Sequence, residues 1–287
     1  MENLLKKPAF WAALVVLVLL LGAAAHFYQS RYAQPVEPVR EANPPLPTSE
    51  APVPAAKSEE ATKFPLPASP LTLADKTEAD RDKANKLPPP DDSDSIMNEL
   101  LSSLIGTKAV AAFFQNTNLV RRLTAAIDNL PREKVASRLN PLKPTEGRLA
   151  TTGADDSLAI SAGNYTRYQP FVSFAAGVDT GKIVDAYVRF YPLFQQEYQA
   201  LGYPNKYFND RLVEAIDDLL AAPELAEPPK LVQPKVQYQF ADPALESLSH
   251  GRKAMIRMGP ENAATLKAKL REFRTVITRA QASKAKS

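Results

Sequence analysis

The sequence contains no cysteine and only two histidines, His26 and His250. Without cysteine, the chain can form no disulfide, thiol nucleophile or thiolate metal site. His26 lies at the end of an apolar N-terminal stretch, so His250 is the one imidazole left for the remainder of the chain. A single imidazole without thiolates leaves too few ligands for zinc, and we expect neither a metal site nor a cofactor.

A serine hydrolase is also disfavoured by what is missing. Such an enzyme needs a base beside its nucleophile, and no Gly-x-Ser-x-Gly turn presents a serine near His250. The segment Ser249-His250-Gly251 is instead typical of the start of a helix. We therefore predict no catalytic residue here.

The chain has little excess charge of either sign, with 35 Lys and Arg against 32 Asp and Glu. A net charge of +3 is too small to indicate nucleic acid binding, and we expect no nucleic acid partner. Basic residues collect near the C-terminus, at Lys267, Lys269, Arg271, Arg274, Arg279, Lys284 and Lys286. We predict that they form a solvated helix face; the alternative is attraction to anionic lipid or wall polymer.

One long apolar run occupies the N-terminus. Residues 9–28 are apolar or small with aromatic residues at both ends, which predicts a single transmembrane helix. Lys6 and Lys7 precede the run, so residues 1–8 are expected in the cytoplasm and the C-terminal domain in the periplasm of a bacterial inner membrane. The alternative is a signal peptide cleaved near Ala23–Ala25, although this run is longer than a typical signal peptide core.

Residues 29–90 are rich in proline and poor in aromatic residues. The stretch from Gln34 to Pro90 holds half of the chain's 26 prolines. Such a composition cannot bury enough apolar surface to offset its ordering entropy, so we predict a disordered linker with polyproline II character. The linker is expected to be a passive spacer, and the alternative is a set of PxxP ligands for a partner domain.

Residues 91–282 carry helical apolar periodicity and predict a mainly α domain with at most a small β element, followed by a tail over 283–287. Three aspartates, at 91, 92 and 94, precede the first helix. The second helix is expected over 109–130 with a break near Asn116, and a further helix is expected over 164–178.

The second half of the domain contains further expected elements. A helix capped by Thr180 extends to Tyr198, with Pro192 kinking it or starting a new one. Another helix spans 212–220, and Gly259-Pro260 separates the last two helices. The stretches 148–152 and 158–161 predict a hairpin, and 232–240 predicts a strand that can pair with it.

The chain's aromatic residues are concentrated between positions 165 and 208. Helical spacing predicts that most of them are core, but the tyrosines exceed what one apolar stripe can bury. We predict that Tyr198, Tyr203 and Tyr207, together with Arg211, form a binding surface for a partner protein or a glycan.

A row of carboxylates offers an alternative site. Asp210, Glu214 and Asp217 share one helical face, and Glu197 ends the preceding helix. Paired carboxylates can cleave glycosidic bonds, which suggests a cell-wall glycan-cleaving enzyme. The competing interpretation is a solvated face paired with Arg211.

Several segments of residues 91–282 together resemble a known family. They are Arg189–Tyr198, Leu201–Pro204 and Tyr207–Val213, supported by Asp128–Pro131, Asn164–Tyr168, Leu231–Lys235 and Arg257–Pro260. They resemble an uncharacterised bacterial family, the domain-of-unknown-function family 3014. The resemblance implies a membrane-anchored envelope protein with a helical C-terminal domain, and implies no activity, ligand or site residue.

Together these observations favour a membrane-anchored envelope protein whose domain is a non-catalytic binding or scaffold module. We expect its partner to be another envelope protein before a cell-wall polymer. The alternative is a glycan-cleaving enzyme that uses Glu197 or the Asp210 row.

Overall fold

A computed structural model of the chain describes residues 61–66, 87–133, 140–143 and 148–278. The helices are α1 (Asp94–Ile105), α2 (Thr107–Phe113), α3 (Leu119–Asn129), α4 (Ala162–Thr166), α5 (Gln169–Ala176), α6 (Thr180–Ala200), α7 (Phe208–Leu220), α8 (Pro243–Glu246), α9 (His250–Met258) and α10 (Pro260–Ile277). The strands are β1 (Thr151–Thr152), β2 (Ala159–Ile160), β3 (Leu231–Val232) and β4 (Gln239–Phe240). The prediction of a mainly helical domain with a small β element is confirmed.

The segments predicted at the N-terminus lie outside the described residues. These are the cytoplasmic residues 1–8, the transmembrane helix over 9–28 and most of the linker over 29–90, and the tail over 283–287 lies outside as well. Within the described part of the chain, no helix combines the length and the apolar character needed to cross a bilayer.

Most helices follow the sequence signals, but the single helix expected over 164–178 is divided into α4 and α5, with Pro170 in the first turn of α5. The expected break near Asn116 separates α2 from α3, and Gly259, at φ +89°, separates α9 from α10. Helix α6 is capped by Asp179, one residue earlier than predicted, because its carboxylate accepts a 3.0 Å hydrogen bond from the Lys182 amide. It runs unbroken through Pro192, so no new helix starts there.

Helix α7 lies at the centre of the domain. It packs against α3, α6, α9 and α10, and its apolar residues recur at steps of three and four. The side chains of Leu212, Val213, Ile216 and Leu219 are almost completely buried. Each buried aliphatic side chain contributes about 1.5–3 kcal/mol, so the position of this helix is firmly set.

The β element differs from the prediction in one respect. The hairpin is present, with Thr151 opposite Ile160. The prediction of a single strand over 232–240 is wrong. That stretch turns back on itself, and Leu231 pairs with Phe240. Pro234 has no N–H to donate to a neighbouring strand. The side-chain amide of Gln233 closes the bend by donating to the Val236 carbonyl. The segment does contact the hairpin just before the bend, where Ala159 forms an antiparallel bridge with Lys230 and the Leu231 amide donates to the Leu158 carbonyl at 2.7 Å.

The basic C-terminal helix is not simply a solvated face. Lys267 is only 3% exposed, and its ammonium group donates to the Ala222 carbonyl at 2.7 Å and pairs with Glu224 at 2.9 Å. Lys269 is also buried and pairs with Glu272. Arg274 pairs with Asp217 of α7. Lys267 and Arg274 therefore connect α10 to other parts of the domain, which the sequence periodicity did not predict, whereas the Lys269–Glu272 pair lies within α10.

Two short parts of the predicted linker contact the domain. Residues 61–66 lie against α7, where Phe64 and Leu66 pack on the core. Leu87 packs on the same core, just before a 3₁₀ turn at Pro90–Asp92 that leads into α1. The domain therefore includes residues on the N-terminal side of position 91.

The turn between α9 and α10 generates a stability prediction. An alanine at position 259 would have to adopt a φ of +89°, which L-residues rarely do. Its Cβ would also lie 2.5 Å from the Tyr165 ring. We expect Gly259→Ala to lower the free energy of unfolding by about 3 kcal/mol, measured by urea denaturation. Gly202→Ala is the matched control, because its φ is +105° but its Cβ would meet nothing within 4 Å. We expect it to cost about 1 kcal/mol. Equal losses would contradict the contact with Tyr165.

Candidate functional site

A cleft of 540 Å³ opens at the N-terminal end of α7. We call it the α7 cleft. It is lined by Ala61, Lys63, Phe64, Asp128, Arg132, Tyr198, Tyr203, Asn205, Lys206, Tyr207, Asp210, Arg211, Glu214 and Asp217. Its walls come from the ends of α3 and α6, the start of α7 and part of the predicted linker. Tyrosines and charged groups of both signs therefore face one space.

The loop from α6 to α7 is fixed by Gln195. The side-chain amide of Gln195 donates to the Lys206 carbonyl at 2.8 Å, and its oxygen accepts from the Phe208 amide at 2.8 Å. The first amides of a helix have no partner within the helix, so this bond satisfies one of them and defines where α7 begins. The loop residues at the edge of the cleft are thereby held in place.

A buried carboxylate lies beneath the cleft. The side chain of Asp128 is 9% exposed and accepts from Arg211 Nε at 3.0 Å and from Arg132 at 2.6 Å. Arg211 also pairs with Glu214 at 2.8 Å. Asp128 lies on α3 and Arg211 on α7, so the pair connects two helices through hydrogen-bonded charges.

The tyrosines complete this network. Tyr198 is buried and stacks on Tyr203, with ring centroids 4.6 Å apart. The Tyr203 hydroxyl donates to Asp128 at 3.4 Å and accepts from Arg132. Burial, and then the charge of Asp128, raise the pKa of Tyr198 to about 12, so its hydroxyl stays protonated. Tyr203 and Tyr207 are half-buried and form part of the wall.

The structure brings together most of the residues that the sequence indicated. Tyr198, Tyr203, Tyr207 and Arg211 all line the α7 cleft, as do two of the alternative carboxylates, Asp210 and Glu214. Glu197 does not belong to this lining. Its charged neighbours are Arg121 and Asp91, and its pKa is raised by burial, an effect that Arg121 opposes. The tyrosine and carboxylate predictions therefore converge on one place.

One edge of the cleft is formed by residues that sequence reasoning missed. Residues 61–66, which we call the docked segment, lie at the N-terminal end of α7. The Asp210 carboxylate accepts from the Thr62 hydroxyl at 3.1 Å, the Lys63 amide at 3.0 Å and the Phe64 amide at 2.7 Å. The sequence did contain a sign of this contact, since Phe64 is the only aromatic residue between Tyr32 and Phe113.

The carboxylates of the predicted row all have partners. Asp210 accepts from the docked segment, Glu214 pairs with Arg211, and Asp217 pairs with Arg274. A glycosidase needs one carboxyl group to deliver a proton and another to act as nucleophile or base. Each carboxylate of the row is instead occupied by donors or by a cation of the chain itself. The arrangement is therefore suited to holding chain segments together.

The lone histidine of the described domain is not placed for base catalysis. Burial, reinforced by Arg257 and Lys253, lowers the pKa of His250 to about 3, and its backbone amide donates to the Arg132 carbonyl. The neighbouring Ser249 hydroxyl donates to Asp218 and accepts from the Arg252 amide, as a helix cap does. The sequence interpretation of this segment as a helix start is confirmed.

The network at the base of the cleft generates a second prediction. We expect Asp128→Asn to lower the free energy of unfolding by about 2–3 kcal/mol, because it removes the buried carboxylate that pairs with both Arg211 and Arg132 and leaves the exposed Glu214 as the acidic partner of Arg211. The control is Asp217→Asn, which removes an exposed ion pair and should cost less than about 1 kcal/mol. Urea denaturation of both variants measures the difference. A loss for Asp128→Asn as small as that of the control would contradict a structural role for this carboxylate.

Comparison with known proteins gives one match. A family described as "Protein of unknown function (DUF3014)" matches residues 119–274, which is more than half of the chain. No curated protein and no solved structure is significantly similar to the chain. The match begins with α3 and ends within α10, so it contains the helices that form the α7 cleft and excludes the docked segment. The chain belongs to the DUF3014 family of proteins of unknown function.

Proposed function

We propose that this chain is a single-pass protein of the bacterial inner membrane whose periplasmic domain is a non-catalytic binding module for another envelope protein. The apolar stretch 9–28 and the preceding Lys6 and Lys7 support this membrane topology. A proline-rich linker between anchor and domain gives the module reach away from the bilayer. The partner binds in the α7 cleft.

The observation that carries this proposal is the composition of the α7 cleft. Its walls combine Tyr203 and Tyr207 with Arg211 and Lys206. Tyrosine and arginine are enriched among residues that dominate protein–protein binding energies. Arg211 and Tyr203 are already held by Asp128, so little side-chain entropy is lost when a partner binds.

A cell-wall polymer is the second candidate partner, and a glycan-cleaving enzyme is the alternative function. Tyrosine rings can stack on sugars, and Glu197 has a raised pKa, which a general acid needs. Two observations favour the binding module: Glu197 lies outside the cleft lining, and Asp210 and Glu214 are already paired.

Site-specific photo-crosslinking tests the proposal in intact cells. A crosslinking amino acid at Asn205, which is exposed at the edge of the cleft, should capture one discrete envelope protein. The same group at Val236, exposed in the β3–β4 turn, should not. Tyr207→Ala should reduce the Asn205 crosslink at least about tenfold, since loss of a tyrosine that anchors an interface typically costs about 2 kcal/mol or more. Tyr238→Ala, a half-buried tyrosine of the β element, should leave it unchanged.

Four outcomes would contradict the proposal. The same products at Asn205 and Val236, or a yield unaffected by Tyr207→Ala, would remove the cleft as the binding surface. Soluble fragments released from purified cell wall, and lost on Glu197→Gln, would favour the enzyme instead. A reporter fused after Ser287 that is active only in the cytoplasm would overturn the topology.

A further inference from the structure

The docked segment shows what kind of ligand the N-terminal end of α7 accepts. Three donors converge on the Asp210 carboxylate, and two of them are the successive backbone amides of Lys63 and Phe64. Successive amides of an extended strand point in opposite directions, so both reach one carboxylate here because the chain bends at Lys63 and Phe64. The third donor is the Thr62 hydroxyl, at 3.1 Å, which only some residues supply. Asp210 therefore binds main chain and adds a preference for a hydroxyl.

A buried amide completes the recognition of the main chain. Asn209 is 1% exposed, and its side-chain oxygen accepts from the Tyr187 hydroxyl at 2.9 Å. Burial raises the pKa of Tyr187 well above its usual value, so the hydroxyl remains a donor. This bond fixes the orientation of the Asn209 amide, whose nitrogen donates to the Phe64 carbonyl at 2.7 Å. The amide and the carbonyl of Phe64 are thus both bound, by adjacent residues of α7.

Several side chains of the docked segment also contact the domain. Thr62, Phe64, Pro65 and Leu66 are half-buried, while Ala61 and Lys63 are exposed. Phe64 and Leu66 pack on the main hydrophobic core. Recognition thus combines main-chain hydrogen bonds with apolar side-chain contacts, as in other modes of peptide binding.

We propose that the N-terminal end of α7 is a binding site for a peptide of the pattern Thr-x-Phe-Pro-Leu that bends at its second and third residues, and that residues 61–66 are its resident occupant in competition with a partner's peptide. This inference rests on the proposed function, because it specifies how the partner protein enters the α7 cleft. Asp210 and Asn209 bind the main chain of the peptide, and the core beside them receives its aromatic and leucine side chains.

The position of the docked segment in the chain makes it an effective competitor. Only 20 residues separate Leu66 from Leu87, which is itself packed on the domain. A ligand joined by a linker of that length has an effective concentration on the order of millimolar. A partner's peptide must therefore bind more tightly than residues 61–66, or be present at high local concentration, to displace them.

Fluorescence anisotropy with a labelled peptide of residues 58–69 tests the inference on the full-length chain. We expect the peptide to bind a Thr62→Ala/Phe64→Ala chain at least about tenfold more tightly than the wild type, because the wild-type site is occupied. Adding Asp210→Asn to the double variant should weaken binding at least about tenfold. The matched control is Glu261→Gln, an exposed acid in the first turn of α10. A peptide with Phe64→Ala should not bind.

Each contrary result has a defined meaning. Equal affinity for wild type and double variant overturns the resident occupant, and affinity unaffected by Asp210→Asn overturns the site. Asp210-dependent binding of purified glycan strands in place of the peptide overturns the peptide assignment. If Asn205 captures a partner in cells but the peptide does not bind, only this inference fails. If the peptide binds as expected but Asn205 captures nothing, the proposed function fails and the peptide site stands.

Discussion

The burial of α7 between α3, α6, α9 and α10 is the constraint on which the α7 cleft depends. Four almost fully buried aliphatic side chains set the position of this helix. Its first turn is consequently fixed as well, and that turn carries Asn209, Asp210 and Arg211. Asp210 lies in the first turn of α7, where the free backbone amides of a helix favour a negatively charged side chain. Packing of the core thus creates a rigid acceptor at the surface.

Charge then adds specificity to this packing. The Asp128–Arg211 pair joins α3 to α7 and holds the arginine at the cleft wall. A buried ion pair contributes little net stability compared with apolar packing, but a hydrogen-bonded pair of this kind permits few arrangements of its helices. The same carboxylate orients Arg132 and Tyr203. One buried anion therefore organises three groups of the cleft wall.

Local sequence signals were enough for the helices and for part of the site. Apolar periodicity and Gly259-Pro260 predicted the last helices, and Tyr198, Tyr203 and Tyr207 were singled out because the tyrosines exceed what one apolar stripe can bury. The strand expected over 232–240 failed because alternation alone does not show that Gln233 and Pro234 form a bend. The burial of Lys267 depends on the Ala222 carbonyl and Glu224, which are distant in sequence. The docked segment was missed because proline-rich composition outweighed one phenylalanine, and its partner Asp210 is 146 residues away.

Amide hydrogen exchange at Lys63 and Phe64 in the full-length chain tests the central claim most directly, because both amides donate to Asp210. In the wild type we expect these two amides to exchange at least about tenfold more slowly than in the Asp210→Asn chain, with no change in the core of α7. Exchange at the rate of an unprotected peptide in the wild type, unaltered by Asp210→Asn, would contradict the docking of residues 61–66.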